Sequence, residues 1–156
     1  MRIGFGYDSH LFEAGKPLVL GGVAIPGCDG LKAHSDGDVV MHALIDALFG
    51  AAAMGDIGSH FPDSDERWKG ADSAGLLSRA VSEISSAGFR VGNVDITVIC
   101  ERPRIGPHVA AIRARLAALL GVAVSQLSVK GKTNEGMDAV GAGLGVAVHV
   151  VALLEG

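Results

Sequence analysis

Two stretches of the chain carry residue types that bind metal ions. Asp8 and His10 are separated by one residue, and His42 follows in the second stretch. One carboxylate and two imidazoles are typical of a catalytic zinc site with an open fourth position, whereas a structural zinc takes four protein ligands. The same ligands suit non-haem iron(II), so the pattern does not choose the metal. Taken singly, each histidine could instead be an ordinary hydrogen-bonded residue.

The first stretch has the alternation of a β-strand. Apolar residues alternate with glycines and polar residues in the run Ile3, Gly4, Phe5, Gly6, Tyr7, Asp8, Ser9, His10. Because a strand sends residues i and i+2 to the same face, Asp8 and His10 emerge side by side. The two glycines clear space beside them.

The second stretch predicts a helix that carries His42. Ser35, three residues before Asp38, resembles a capping box ahead of a proline-free run from Val39 to Ala53, so the helix should begin near Asp36. The run is apolar on nearly every side, which predicts burial within the domain and against a neighbouring subunit. Asp38, His42 and Asp46 form its one polar stripe, and a bound cation is a natural partner for that stripe.

Composition and charge exclude several classes of protein. The chain has 156 residues, 49% of them apolar, with 23 glycines and a net charge of -4. We therefore expect one domain over residues 1–156, and neither disorder nor a basic field for nucleic acid. A small cationic group, suited to an anionic small molecule, consists of Arg102, Arg104, Lys130 and Lys132. Cys28 and Cys100 fit no redox or zinc-ribbon spacing. No run is long and apolar enough to span a membrane, so we expect a cytosolic protein.

The remaining pattern predicts an α+β fold. A mixed sheet with helices packed on one face follows from the order of the elements. The first part of the chain has a hairpin over 16–26 turning at Gly21-Gly22, a loop over 55–65, and a helix capped by Asp72 and ended by Gly88. The second part has a strand over 94–100, a helix over 109–120 ended by Gly121, and strands over 127–133 and 146–154. His149, within the last strand, is predicted to be a core residue. Gly131-Lys132-Thr133 lacks the upstream glycine of a phosphate-binding loop, and other glycine clusters miss the dinucleotide fingerprint.

Several motifs together resemble one known family. They are Asp8-x-His10, Ala33-His34-Ser35-Asp36-Gly37-Asp38 with His42, Gly55-Asp56-Ile57-Gly58, Phe61-Pro62-Asp63-x-Asp65, Arg102-Pro103-Arg104 and Thr133-x-Glu135-Gly136. In order and spacing the chain resembles the 2-C-methyl-D-erythritol 2,4-cyclodiphosphate synthase family, over nearly its whole length. The resemblance implies a homotrimer with active sites between subunits, no nucleic-acid or membrane partner, and a substrate, 4-diphosphocytidyl-2-C-methyl-D-erythritol 2-phosphate, that is cyclised with release of CMP.

The same resemblance implies roles for individual residues. Zinc is held by Asp8, His10 and His42, and a second divalent ion, magnesium or manganese, by Glu135. His34 and Thr133 steady the transition state. Substrate contacts around the methylerythritol phosphate come from Asp8, Ser9, His10, His34, Ser35, Asp56, Ile57, Gly58, Phe61, Pro62, Asp63, Ser64 and Asp65. The cytidine diphosphate end is held by Cys100, Glu101, Arg102, Pro103, Arg104, Ile105, Gly106, Lys132, Thr133, Asn134 and Glu135.

The implied chemistry agrees with elementary considerations. A phosphomonoester is mostly dianionic at neutral pH, so the nucleophile needs no strong protein base, and catalysis reduces to positioning and charge neutralisation.

One segment departs from the family pattern: residues 138–145 lack an aromatic and an arginine found in relatives, with Ala139 and Ala142 in that stretch. We therefore predict weak binding of isoprenoid diphosphates.

Two alternative functions remain. One is a non-catalytic trimeric regulator that binds nucleotide or isoprenoid diphosphate. The other is an iron(II) oxygenase, which the lack of a long β-helix disfavours.

Overall fold

The fold is α+β, as predicted, with a mixed five-stranded sheet in the order β2-β1-β5-β3-β4. A computed structural model describes residues 1–62, 64–68 and 70–156, so the predicted contact at Asp63 lies outside the described residues. The strands are β1 Arg2–Leu20, β2 Val23–Leu31, β3 Arg90–Ile99, β4 Leu127–Lys132 and β5 Gly145–Glu155; the helices are α1 Val39–Ala52, α2 Ile57–His60, α3 Ser73–Ser86, α4 Val109–Leu120 and α5 Asp138–Gly141. Strands β3 and β4 are parallel, and the other neighbouring pairs are antiparallel.

Strand β1 is longer than the sequence indicated. The predicted first strand and the first arm of the predicted hairpin are one continuous strand, with a register shift between Glu13 and Pro17. Its first half pairs with β5, and its second half turns back through Gly21-Gly22 to pair with β2. Both turn glycines have positive φ, +58° and +74°, which a tight two-residue hairpin turn requires.

Two glycines of β1 allow α1 to lie directly against the sheet. A Cβ atom at Gly4 would lie 1.9 Å from the carbonyl oxygen of Ala47, and one at Gly6 would lie 1.9 Å from that of Ala43. The space above Gly4 and Gly6 is therefore filled by the helix. This close approach places the N-terminal turns of α1 next to Asp8.

The prediction that α1 begins near Asp36 with Ser35 as its cap is wrong. The helix begins at Val39, and its cap is Asp38, whose carboxylate accepts hydrogen bonds from the backbone N–H groups of Val40 and Met41. The same carboxylate accepts from Gly21 and Gly22 at 2.9 and 2.6 Å. Asp38 thus joins the helix start to the hairpin turn, and Ser35 is left available for another contact.

His149 is not a core histidine, contrary to the prediction. The apolar run of β5 suggested burial on both faces, but the helices cover only one face of the sheet. His149 projects from the other, where its ring lies 5.0 Å from that of Tyr7 and 5.8 Å from that of Phe5. Ile3, Phe5 and Tyr7 are 74%, 60% and 49% exposed there. We call the surface formed by Ile3, Phe5, Tyr7, His149 and Val151 the open sheet face.

The other helices mostly agree with the sequence. Helix α3 is capped by Asp72, and α4 ends at Gly121 in the left-handed conformation, both as predicted. The predicted loop over 55–65 contains a further turn of helix, α2, capped by Asp56. No helix in the described ranges is long and apolar enough to cross a membrane.

Candidate metal centre and its clefts

The three predicted metal ligands converge. Asp8 Oδ2 lies 2.8 Å from His10 Nε2 and 3.1 Å from His42 Nδ1, and the two nitrogens are 3.3 Å apart. Strand β1 presents Asp8 and His10 on the face that α1 covers, and His42 lies one turn inside α1. Among the described residues, this is the group of histidine, cysteine and carboxylate side chains arranged to hold a metal ion.

The nitrogen of each imidazole that faces away from the centre has a hydrogen-bond partner. His10 Nδ1 donates to the backbone carbonyl of Lys32 at 2.8 Å. His42 Nε2 lies 3.0 Å from Ser73 Oγ and 3.1 Å from Ser35 Oγ. Such contacts fix the tautomer of a ligating histidine, so His10 Nε2 and His42 Nδ1 are left to face the centre with their lone pairs.

A hydrogen-bonded relay supports His42. Ser73 is 0% exposed, and its hydroxyl donates to the carboxylate of Asp36, whose other oxygen accepts from the Ser73 backbone N–H at 2.9 Å. With its own proton committed to Asp36, Ser73 Oγ acts as the acceptor for His42 Nε2. The order Asp36, Ser73, His42 therefore holds the imidazole with Nδ1 pointing at Asp8.

The electrostatics of the centre favour a positive charge. Burial opposes the charge on Asp8, but the hydrogen bonds and charges of His10 and His42 outweigh it and hold the pKa of this carboxyl well below its usual range. The hydrogen bond to Asp8 raises the pKa of His10, and burial only partly offsets that rise. A partly buried carboxylate that stabilises a proton on a neighbouring imidazole also stabilises a cation that replaces the proton.

The geometry fits a divalent metal. Ligand atoms about 2.0–2.1 Å from a tetrahedral zinc are roughly 3.3 Å from one another. The three separations here, from 2.8 to 3.3 Å, are close to that edge. One carboxylate and two neutral imidazoles leave a fourth position, and the adjoining cleft supplies the space for a ligand there.

The metal centre lies in a cleft of about 680 Å³, which we call the metal cleft. Seven other predicted site residues border or adjoin it. Those in its lining are Ser9, His34, Ser35, Ile57, Gly58 and Phe61, and Asp56 caps the adjoining helix α2. Pro62, Ser64 and Asp65 follow Phe61 outside the lining, where Asp65 pairs with Arg67 at the surface. The lining also includes Trp68 and Leu76.

The polar stripe of α1 is satisfied mostly without a cation, contrary to the prediction. Asp38 is bound by four backbone N–H groups, and Asp46 accepts a hydrogen bond from the N–H of Ile57 at 2.7 Å. Burial raises the pKa of Asp46, which lines the metal cleft. Of the three residues in the stripe, only His42 faces the metal centre.

A second cleft, of about 450 Å³, holds the other predicted residues, and we call it the loop cleft. Its lining contains Cys100, Glu101, Pro103, Arg104, Ile105, Gly106, Lys132 and Thr133. Arg102 is exposed beside it, and the Asn134 N–H donates to Glu101 at 3.0 Å. Glu135 accepts from the hydroxyl of Thr133 at 2.9 Å. Burial raises the pKa of the Cys100 thiol to about 11.

The two clefts are at the same end of the sheet but have no residue in common. Ser9, Ala147, Ile99 and Lys132 are partners across four neighbouring strands. Three strand spacings of about 4.8 Å separate Ser9 from Lys132 by roughly 14 Å. A single chain therefore places His34 in one cleft and Thr133 in the other, and Glu135 outside the cluster of the three metal-binding residues.

The sequence analysis missed the residues that support the metal ligands. Ser73 and Asp36 have no metal-ligand spacing, and Ser73 simply follows Asp72, the predicted helix cap. Lys32 contributes a carbonyl, which no side-chain pattern can reveal. The one available signal was the position of Asp36 within the His34 to Asp38 motif, between residues with predicted roles.

Comparisons with known proteins agree with this geometry. A model of the YgbB family matches residues 1–155. A relative from Alcanivorax borkumensis, named 2-C-methyl-D-erythritol 2,4-cyclodiphosphate synthase, is 56% identical over 99% of this chain and 97% of its own length. One of the same name from Symbiobacterium thermophilum is 54% identical over 100% and 99%.

Solved structures agree as well. A 2C-methyl-D-erythritol-2,4-cyclodiphosphate synthase in its CDP-bound form superposes with a TM-score of 0.91 at 40% identity, covering 99% of this chain and 100% of that one. The bifunctional IspDF from Campylobacter jejuni gives 0.94 at 39% identity; the match covers 98% of this chain but 42% of that longer one. On the family match and these full-length relatives, the chain belongs to the YgbB family.

Proposed function

We propose that this chain is a cyclodiphosphate synthase of isoprenoid precursor biosynthesis. It would convert 4-diphosphocytidyl-2-C-methyl-D-erythritol 2-phosphate to 2-C-methyl-D-erythritol 2,4-cyclodiphosphate with release of CMP, as a phosphorus–oxygen lyase. The observation that carries the proposal is a metal-binding triad with an open side, facing a cleft large enough for a sugar phosphate. The names of the full-length relatives support the same reaction.

The active site is proposed to form between subunits of a homotrimer. Ser9 in the metal cleft and Lys132 in the loop cleft are roughly 14 Å apart across the sheet of one chain, and each cleft contains only part of the predicted site. A neighbouring copy that brings its loop cleft against the metal cleft would complete the site. The open sheet face, which is apolar and uncovered in one chain, supports association with other copies.

The chemistry follows from the charges of the reactants. An oxygen of the 2-phosphate attacks the phosphorus of the diphosphate nearer the methylerythritol, and the bond from that phosphorus to the CMP oxygen breaks. CMP leaves with the electron pair of that bond, so no external oxidant or base is needed. Holding both ends of one molecule in line can be worth roughly 7 to 11 kcal/mol, enough to favour ring closure over attack by water.

Individual residues have the following proposed roles. Asp8, His10 and His42 would hold zinc, and Glu135 a second divalent ion, magnesium or manganese; when bound, these cations neutralise charge on the phosphoryl groups. Lys132, in the loop cleft, adds positive charge where CMP leaves. His34 and Thr133 would steady the transition state. The remaining residues of the two clefts fix the methylerythritol phosphate and the cytidine diphosphate in line.

Incubation with the cytidyl substrate and magnesium tests this proposal. We expect release of CMP together with the cyclic diphosphate signals in phosphorus NMR. His42→Ala should abolish turnover and lower zinc content, while circular dichroism shows a retained fold. Full activity of His42→Ala would remove the triad from the mechanism. Binding of CDP without any turnover would instead support a non-catalytic regulator. Iron rather than zinc in the purified protein would support an iron(II) oxygenase.

Residues 1–156 would form one synthase domain, and the protein would act in the cytosol on a small molecule, without nucleic-acid or membrane partners. Gel filtration with light scattering tests the trimer directly.

A further inference from the structure

His60 has three well-defined contacts that the proposed reaction does not use. Its Nε2 donates to the backbone carbonyl of Met54 at 2.8 Å, and its Nδ1 lies 2.8 Å from a carboxylate oxygen of Glu83. Its ring stacks on that of Phe49, with centroids 3.8 Å apart and planes inclined by 10°. Phe49 is fully buried in α1, and Glu83 lies on α3. One imidazole thus joins α2 to both long helices.

The contacts continue from Glu83 to the wall of the metal cleft. Arg79, one turn earlier on α3, donates to Glu83 at 3.2 Å, and its guanidinium lies 5.4 Å from the centre of the Trp68 ring. The Trp68 ring packs edge-on against Phe61 at 5.1 Å. Phe61 directly follows His60, so these contacts form a closed circuit of side chains.

This circuit holds the segment that forms one side of the metal cleft. Four residues of this side line the cleft: Ile57, Gly58, Phe61 and Trp68. The first two are in α2, Phe61 directly follows α2, and Trp68 ends the short helical turn Glu66–Trp68. Helix α2 has only one turn, which is too short to be stable without tertiary contacts. The position of the wall therefore depends on the contacts that anchor it.

We infer that His60 is a positioning residue, which anchors the wall formed by Ile57, Gly58, Phe61 and Trp68 to α1 and α3 and so pre-forms the metal cleft for its phosphorylated substrate. The inference rests on the proposed function for the identity of that substrate. His60 does not line the cleft, and it acts through its neighbours rather than on the reacting atoms.

The expected effect is on substrate binding. A cleft whose wall is in place in only a tenth of the molecules binds its ligand about tenfold more weakly, because apparent affinity scales with the competent fraction. His60→Phe keeps a ring to stack on Phe49 but deletes the hydrogen bond to Met54 and the contact with Glu83. We expect this variant to raise KM about tenfold while kcat stays within about twofold.

Trp68 reports on the wall without any turnover. It is the chain's one tryptophan, so intrinsic tryptophan emission and its quenching by acrylamide report on this segment alone. We expect easier quenching in His60→Phe and an intermediate effect in Glu83→Gln. His60→Gln, which retains one donor, should recover part of both the protection and KM. Ser82→Ala, an exposed neighbour of Glu83, is the matched control and should behave as the wild type.

The outcomes separate this inference from the proposed function. Zinc affinity, measured by competition with a chelator, should be unchanged in His60→Phe, because His60 contacts none of the three ligands. Folded His60→Phe with wild-type quenching and wild-type KM would overturn the inference. If the wild type turns over no cytidyl substrate, the proposed function fails, while the quenching comparison still decides whether His60 anchors the wall.

Discussion

The relay from Asp36 through Ser73 to His42 leads to a quantitative prediction about metal affinity. Ser73→Ala removes the hydroxyl that accepts from His42 Nε2 and that donates to Asp36. The imidazole then loses part of the support that keeps Nδ1 directed at the centre. The Asp36 carboxylate still accepts a hydrogen bond from the backbone N–H of residue 73 at 2.9 Å, so it keeps a partner in the variant.

The size of the effect depends on Ser35. Loss of an outer partner of a ligating histidine typically weakens metal binding by about 10- to 100-fold. Ser35 Oγ lies 3.1 Å from the same nitrogen, so it can still accept the hydrogen bond when Ser73 is gone. We therefore expect about a tenfold loss in Ser73→Ala, roughly 1.4 kcal/mol, and nearer 100-fold when Ser35→Ala is added.

Competition between the protein and a chromophoric zinc chelator measures both losses at equilibrium. Ser78→Ala is the matched control, because Ser78 is on the same helix but its hydroxyl donates to the backbone carbonyl of Ala74, away from the centre. Circular dichroism establishes that each variant is folded. A folded double variant whose zinc affinity is within threefold of the wild type would refute the reasoning, because His42 would then need neither hydroxyl to orient its ring.

Three further predictions concern the fold and the centre. Gly6→Ala should destabilise the protein by at least about 3 kcal/mol in urea unfolding, because its Cβ would lie 1.9 Å from the Ala43 carbonyl; Gly75→Ala, with no atom within 4 Å, should not. Burial raises the pKa of Cys100 from 9.0 to about 11, so its contribution to stability is present below pH 9 and lost as pH rises towards 11. Wild type should therefore lose about 2 kcal/mol more than Cys100→Ala between pH 8 and 10.5, and an equal loss would contradict the burial argument. Zinc at 100 times its dissociation constant should stabilise the protein by about 2.7 kcal/mol, reversibly with chelator; a zinc-dependent rise in Tm that persists in His42→Ala would place the metal elsewhere.

Local patterns predicted the elements that position the metal centre. Alternation in β1 placed Asp8 and His10 on one face, and the apolar run after Asp38 placed His42 one turn inside a helix. These inferences were correct because they depend on backbone geometry that every strand and helix has in common. The cap at Asp72 and the left-handed end at Gly121 were predictable for the same reason.

The errors concern residues whose partners are distant in the chain. Asp38 rather than Ser35 caps α1, since the hairpin turn at Gly21 and Gly22 supplies two further donors to its carboxylate. His149 was placed in the core because an apolar strand does not reveal which of its faces a helix covers. In both cases the decisive neighbour comes from another element.

The amino-acid sequence by itself determined the α+β class, the ligand types of the metal centre and the family to which the chain belongs. Tertiary structure alone decided that the glycines at positions 4 and 6 allow α1 to pack closely against β1, and that Ser73 supports His42. It also showed that one chain holds the predicted site in two clefts. The physical reason is that hydrogen bonds and steric contacts act over a few ångströms in space, while the residues that meet there are far apart along the chain.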